Sequence, residues 1–194
     1  MFRITKPDRA TIDAYLTGLS AQKFSYRETG KSREDAAALP GYNVDHNRIQ
    51  LGTGRESYDR ATNALQAWKM FEMGWIELCW PTAPIETGTN LAVLALHLGF
   101  WSLNPCRIVY TIEKKDGAIE RFGFAYGTLK GHGATGEERF SVEFHAADRS
   151  VWYDLYAFSR PGGVARIGSP FTRALQRRFA LDSRTAMLTA VQLP

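Results

Sequence analysis

Apolar residues along the chain recur first with a helical period, then with an alternating one, and finally with a helical one again. Ile12, Tyr15, Leu16 and Leu19 lie at i, i+3, i+4 and i+7, which predicts a helix over 7–19. A short strand is predicted at 24–29, followed by polar, irregular chain to about Gln50. Tyr58, Ala61, Leu65 and Trp68 mark the buried face of a second helix, which Thr53 and Glu56 would open as a capping box and Gly74 would stop. From Trp75 the period is two. Strands are predicted near 75–80, 89–99, 106–114, 119–129, 137–145 and 150–159, with turn chemistry at Asp116-Gly117 and from Asp148 to Ser150. Phe140, Val142 and Phe144 share one face, and Arg139, Ser141 and Glu143 the other. A long last helix opens at Ser169-Pro170, an N-cap followed by a proline suited to the first turn. Ile167, Phe171, Ala174, Leu175, Leu181 and Leu188 fall on one arc of it, with Arg178 and Asp182 in the middle of that arc.

Short connections between alternating segments favour an antiparallel meander. The order therefore predicts an α+β fold: a curved antiparallel sheet around a long C-terminal helix, the helix-grip arrangement of Bet v 1-like and START-like domains. No repeat, linker or low-complexity tract interrupts it, so residues 1–194 read as a single domain. A sheet closed by a helix encloses space that often holds an apolar ligand. Fold by itself does not fix function.

Composition changes this picture in one place. The chain is 44% hydrophobic with five tryptophans, enough for a core that needs no disulfide or metal staple. Its net charge of +4 is local. Residues 160–194 hold six arginines against Asp182, a local +5, while the first 159 residues carry 18 basic and 19 acidic groups. A nearly neutral body with one basic helix, lacking interleaved aromatics, argues against nucleic acid as a partner. The longest apolar run, 91–101, is too short to span a bilayer and contains His97. The N-terminus lacks a signal peptide's apolar stretch. Cys79 and Cys106 have no CxxC spacing and fit reduced thiols. A soluble cytoplasmic protein without cofactor or metal is expected, its oligomeric state left open.

Two glycine clusters imitate phosphate loops. Gly30-Lys31-Ser32 ends like a P-loop, but Ser25 stands where the upstream glycine is required. Gly52-Thr53-Gly54 precedes a helix, but Ser57 replaces the third glycine of a dinucleotide fingerprint. More distinctive is YGTLKGHGATGEERF at 126–140, where two strands flank a glycine-rich loop holding His132, with Glu137, Glu138 and Arg139 on the return. With AFSRP at 157–161, ALQRRFA at 174–180 and LGTGRESYDRATNALQAWKMF at 51–71, this block resembles Uncharacterised Protein Family 0548 over about 24–190. The resemblance implies no activity and no residue roles.

The residues must then be read physically. A histidine and carboxylates presented by a tight loop suit metal binding or acid–base work, so His132, Glu137 and Glu138 are the catalytic candidates. The plainer reading is a hairpin whose glycines take positive φ and whose acids pair with arginines. Arg178 and Asp182, four apart on a helix, could offer a cavity its polar end or form a structural ion pair. His97 reads as a hydrogen-bonded core histidine. Gly123, Ala125 and Gly127 share a strand face and would admit the last helix or a ligand. No G-x-S-x-G elbow is present.

The reading favoured is a binding module for a small, largely apolar or amphipathic ligand. Trp101, Tyr110, Phe124, Tyr126, Phe158, Phe171 and Leu175 would line its cavity and Arg178 would anchor the ligand's polar end. One alternative is an enzyme using His132 with Glu137 or Glu138. Another is an interaction protein that docks an acidic surface on Arg166, Arg173, Arg177 and Arg184.

Overall fold

A computed structural model describes residues 2–162 and 169–192. Its elements are β1 (Phe2–Arg3), α1 (Arg9–Thr17), β2 (Asn43–Thr53), α2 (Arg55–Gln66), β3 (Ile76–Leu78), β4 (Asn90–His97), β5 (Phe100–Asp116), β6 (Ile119–Thr128), β7 (Ala134–His145), β8 (Ser150–Pro161) and α3 (Ser169–Gln192). The strands form one antiparallel sheet in the order β2-β8-β7-β6-β5-β4-β3, with β1 added alongside β5. The predicted class holds: a curled antiparallel sheet with the C-terminal helix on its inner face, a helix grip. Arg166, Ile167 and the cap side chain of Ser169 lie outside the described residues. No helix among the described residues is long and apolar enough to cross a membrane.

Strand alternation divides the sheet's two faces. On β7, Phe140, Val142 and Phe144 turn inward to a core shared with Leu65, Trp68 and Phe71 on one side and Met187 of α3 on the other. The rings of Phe124 and Phe140 stack at 5.3 Å, and Trp68 meets Phe124 edge-on at 4.9 Å. Each such side chain contributes about 1.5–3 kcal/mol by leaving water. Glu137, Arg139, Ser141 and Glu143 turn outward instead.

Segment 20–42 crosses that outer face as a strap. The strand predicted at 24–29 does not form there. Phe24 makes a single bridge to Leu129, and the Ser25 N–H donates to the Thr128 carbonyl. Several of the strap's polar groups meet side chains of the sheet: the Gln22 carbonyl accepts from Arg107, and Tyr26, Gly30 and Ser32 donate to Glu137. Gly127 makes room for this strap rather than for α3, since a Cβ there would lie 2.1 Å from the Tyr26 hydroxyl, whereas a Cβ on Gly123 would strike the Phe140 carbonyl of β7 at 2.2 Å.

Two further expectations fail for local reasons. The chain up to Gln50 is not irregular: β2 pairs with β8 along nearly its whole length. Its polar residues hid it, because Asp45 and Asn47 face a cavity instead of a packed core. The capping box does not form either. Thr53 still belongs to β2, and Gly54, at φ 87°, starts α2 without a side-chain cap. That helix ends at Gln66, well before Gly74, because Trp68 adopts a left-handed φ of 59°. This turn buries the indole to 2% exposure, with its N–H donating to the Ala83 carbonyl.

Candidate functional site

A cavity of about 330 Å³ lies between the sheet's inner face and the first half of α3. It exists because α2, Trp68 and Phe71 fill the inner face only as far as Phe124 and Phe140. Beyond Tyr126, toward the 126–136 hairpin, α3 alone covers the sheet. Val93, Ala95, Leu155, Leu175 and Phe179 give apolar walls, while Asn104, Thr128, His132 and Glu138 give a polar end.

The helix is held across this space by two polar clasps. Arg173 donates to both carboxylate oxygens of Asp45, at 2.6 and 2.8 Å, and so ties α3 to β2. Gln176 donates to Ser159 Oγ at 2.8 Å and ties it to β8. Arg173 is therefore committed within the chain, which shortens the arginine stripe expected to meet a partner.

Adjacent glutamates on β7 have opposite fates. Glu138 points inward and accepts from the Tyr126 hydroxyl at 2.6 Å. Burial pushes its carboxyl up to about 7, with the Tyr126 bond opposing that rise and Asp45 adding to it. Glu137 also borders the cavity, but its carboxylate is taken up on the outer face. It accepts from the Tyr26 hydroxyl at 2.6 Å, the Gly30 N–H at 2.8 Å, the Ser32 N–H at 3.1 Å and the Ser32 hydroxyl. The segment that imitates a P-loop does cradle an anion, and the anion is the chain's own.

His132 borders the same cavity as Glu138. Its Nδ1 lies 2.9 Å from the Ala134 nitrogen and 3.1 Å from the Ala134 carbonyl oxygen, which ties the ring to the hairpin backbone. Burial pushes the imidazole down to about 4, so it is neutral at physiological pH. His132 and Glu138 thus share a site from which the Glu137 carboxylate is withdrawn. Among the described residues, no three His, Cys, Asp or Glu side chains gather as a metal site would require. Burial raises the Cys79 thiol to about 12 and holds the Cys106 thiol well above its ordinary range, so both are poor nucleophiles.

The predicted lining residues divide in two. Tyr126, Phe158, Phe171 and Leu175 border the cavity, though the Phe158 ring packs edge-on against Tyr26 and Tyr42. The other four do not. Phe124 faces inward but is sealed by Trp68 and Phe140. Tyr110 faces the strap, bonded to Ser32 and stacked under Arg33. Trp101 packs with the cluster around α1, with Lys6 over its ring. Arg178 is on the surface at 56% side-chain exposure, lying over Trp75 while Asp182 accepts from the indole N–H. The helical arc put Arg178 inward because it was averaged over the whole of α3, whose apolar face meets the cavity only along its first half.

Sequence reasoning missed Asp45, Asn104 and Gln176, which are polar and carry no motif. Phe179 was legible, one turn after Leu175. His97 is not a plain core residue: it borders the cavity beside Phe171, ring centres 6.0 Å apart, and burial lowers its pKa.

A family described as a domain of unknown function (DUF1990) matches residues 25–186. A UPF0548 protein of Dictyostelium discoideum is 35% identical over 98% of this chain and 96% of its own. A second, from Arabidopsis thaliana, is 35% identical over 86% of this chain and 82% of its own. Among solved structures, human STARD10 aligns over 89% of this chain and 83% of its own at 9% identity, with a TM-score of 0.49.

Proposed function

The chain belongs to the UPF0548 family, whose domain has no assigned activity, and we propose that it binds one small amphipathic molecule inside the helix grip. The observation that carries this reading is the cavity under α3, walled by aliphatic and aromatic side chains and bordered by polar groups that include Asn104, His132 and Glu138. Its volume falls at the lower end of the roughly 300–1,000 Å³ typical of small-molecule sites. Tyr126, Phe171 and Leu175 belong to its lining. Unpaired Cys79 and Cys106 support a reducing, cytoplasmic setting.

Native mass spectrometry before and after organic extraction tests the proposal. The protein is expected to carry an extractable mass, and Leu175→Trp, which fills the cavity, is expected to exclude it. Equal adducts on both forms would sink the reading. A second reading rests on His132 and Glu138 sharing the cavity: a neutral imidazole and a carboxyl near neutrality could exchange protons with a bound molecule. Under that reading Glu138→Gln would leave the bound molecule in place and end its turnover.

A further inference from the structure

Three carboxylates lie buried in the sheet, and each is fully answered. Glu143 accepts from Arg121 at 2.7 Å and also meets Arg48 and His145. Asp154 faces Arg139, Arg48 and His46. Glu137 holds the two backbone N–H groups and two hydroxyls of the strap. Glu138 is half-buried at the cavity, and the one hydrogen bond it makes comes from a neutral donor, Tyr126; no ion pair reaches it among the described residues. A buried carboxylate without a counter-charge is costly unless something supplies one.

The cavity's other polar groups are largely spent. The amide nitrogen of Asn104 donates to Val93, Ser102 and Ser102 Oγ, and its oxygen accepts from the Gly133 N–H. Thr128 Oγ1 donates to the Gly136 carbonyl and accepts from its N–H. No lysine or arginine is among the described residues that border the cavity, whereas Asp45, Glu137 and Glu138 are. Among the described residues an anionic ligand would find no free cation there, and its charge would face Glu138.

Building on the ligand-binding reading, we propose that the occupant is an amine, a basic nitrogen on an apolar or aromatic body, whose ammonium group pairs with the Glu138 carboxylate. The groups around that carboxylate allow this. Tyr126 on β6, Cys106 on β5 and Tyr153 on β8 are held neutral by burial. His132 is neutral, and Asp45 on β2 is already paired with Arg173 of α3. Burial pushes Glu138 up to about 7, so an ammonium must displace its proton below that pH. Amine affinity should then fall roughly tenfold per pH unit on the acid side.

Calorimetry with three compounds on one scaffold tests the proposal: tryptamine, tryptophol and indole-3-propionate. At pH 8 the amine is expected to bind at least tenfold more tightly than the alcohol, with the acid weakest. Its affinity should drop about tenfold between pH 6 and pH 5, while the alcohol's stays level. Glu138→Gln should abolish both the preference and the pH dependence, bringing the amine's affinity down to the alcohol's. Tyr126→Phe, which removes the donor to Glu138, should move the pH midpoint upward, and the wild-type pH series needs no variant. Alcohol or acid binding as tightly as the amine, or amine binding indifferent to Glu138→Gln, would overturn the amine assignment and leave ligand binding standing. Failure of all three compounds to bind would overturn both.

Discussion

Glu137 and Glu138 are separated by one peptide bond and by the thickness of the sheet. Glu137 faces out, where the strap closes over it with four donors and makes it part of the scaffold. Glu138 faces in, where the helices leave a hollow, and it keeps one neutral partner. The same residue type thus has one structural copy and one copy available for chemistry. Alternation along a strand guarantees the split, but the material covering each face decides which copy takes which role.

The largest effect should come from the outer copy. Glu137→Ala would leave the Gly30 and Ser32 N–H groups buried without an acceptor and release the strap. Such losses run to about 3–5 kcal/mol, readable as a lower urea midpoint. A change under about 1 kcal/mol would mean the strap does not depend on this carboxylate.

The inner pair should show itself through pH. Glu138, held at about 7 against an ordinary 4.5, favours the folded state fully below 4.5 and loses that advantage as the pH rises through 7. His132, held at about 4 against 6.5, favours the folded state fully above 6.5 and loses that as the pH falls through 4. Each term amounts to about 3 kcal/mol, of opposite sign, so they largely cancel between 4.5 and 6.5. Glu138→Gln should therefore steepen the loss of stability toward acid. His132→Asn should make stability decline from pH 4.5 to 7. Denaturant midpoints across that range check both, and three parallel profiles would refute the assignment.

Smaller effects should follow away from β7. Asp45→Asn weakens the clasp on Arg173, a partly exposed bidentate pair worth about 1 kcal/mol. Faster amide exchange in the first turns of α3 is the sensitive readout. Arg178→Ala should cost well under about 1 kcal/mol, as exposed pairs do, and leave ligand binding untouched. A binding defect there would restore Arg178 as an anchor and weaken the case for Glu138.

Much of this architecture was legible because hydrophobic alternation is a local property. Phe140, Val142 and Phe144 against Arg139, Ser141 and Glu143 announced β7 and its two faces. β2 escaped notice because Asp45 and Asn47 face the cavity and break the apolar rhythm that marks a strand. Arg178 misled because an arc averaged along 24 residues cannot show that only half the helix roofs the hollow. Tyr110 and Trp101, chosen as aromatic, turned out to serve the strap and α1.

The sequence alone determined the family, the antiparallel meander and the terminal helix, while it grouped Glu137 and Glu138 together. It also placed the surplus charge in the C-terminal stretch 160–194. Tertiary structure alone decided which glutamate met the strap and which met the cavity. The reason is that a period of two assigns residues to opposite faces without saying what covers either one. That cover comes from residues far along the chain: Tyr26, Gly30 and Ser32 outside, Leu175 and Phe179 inside. No local pattern encodes those contacts.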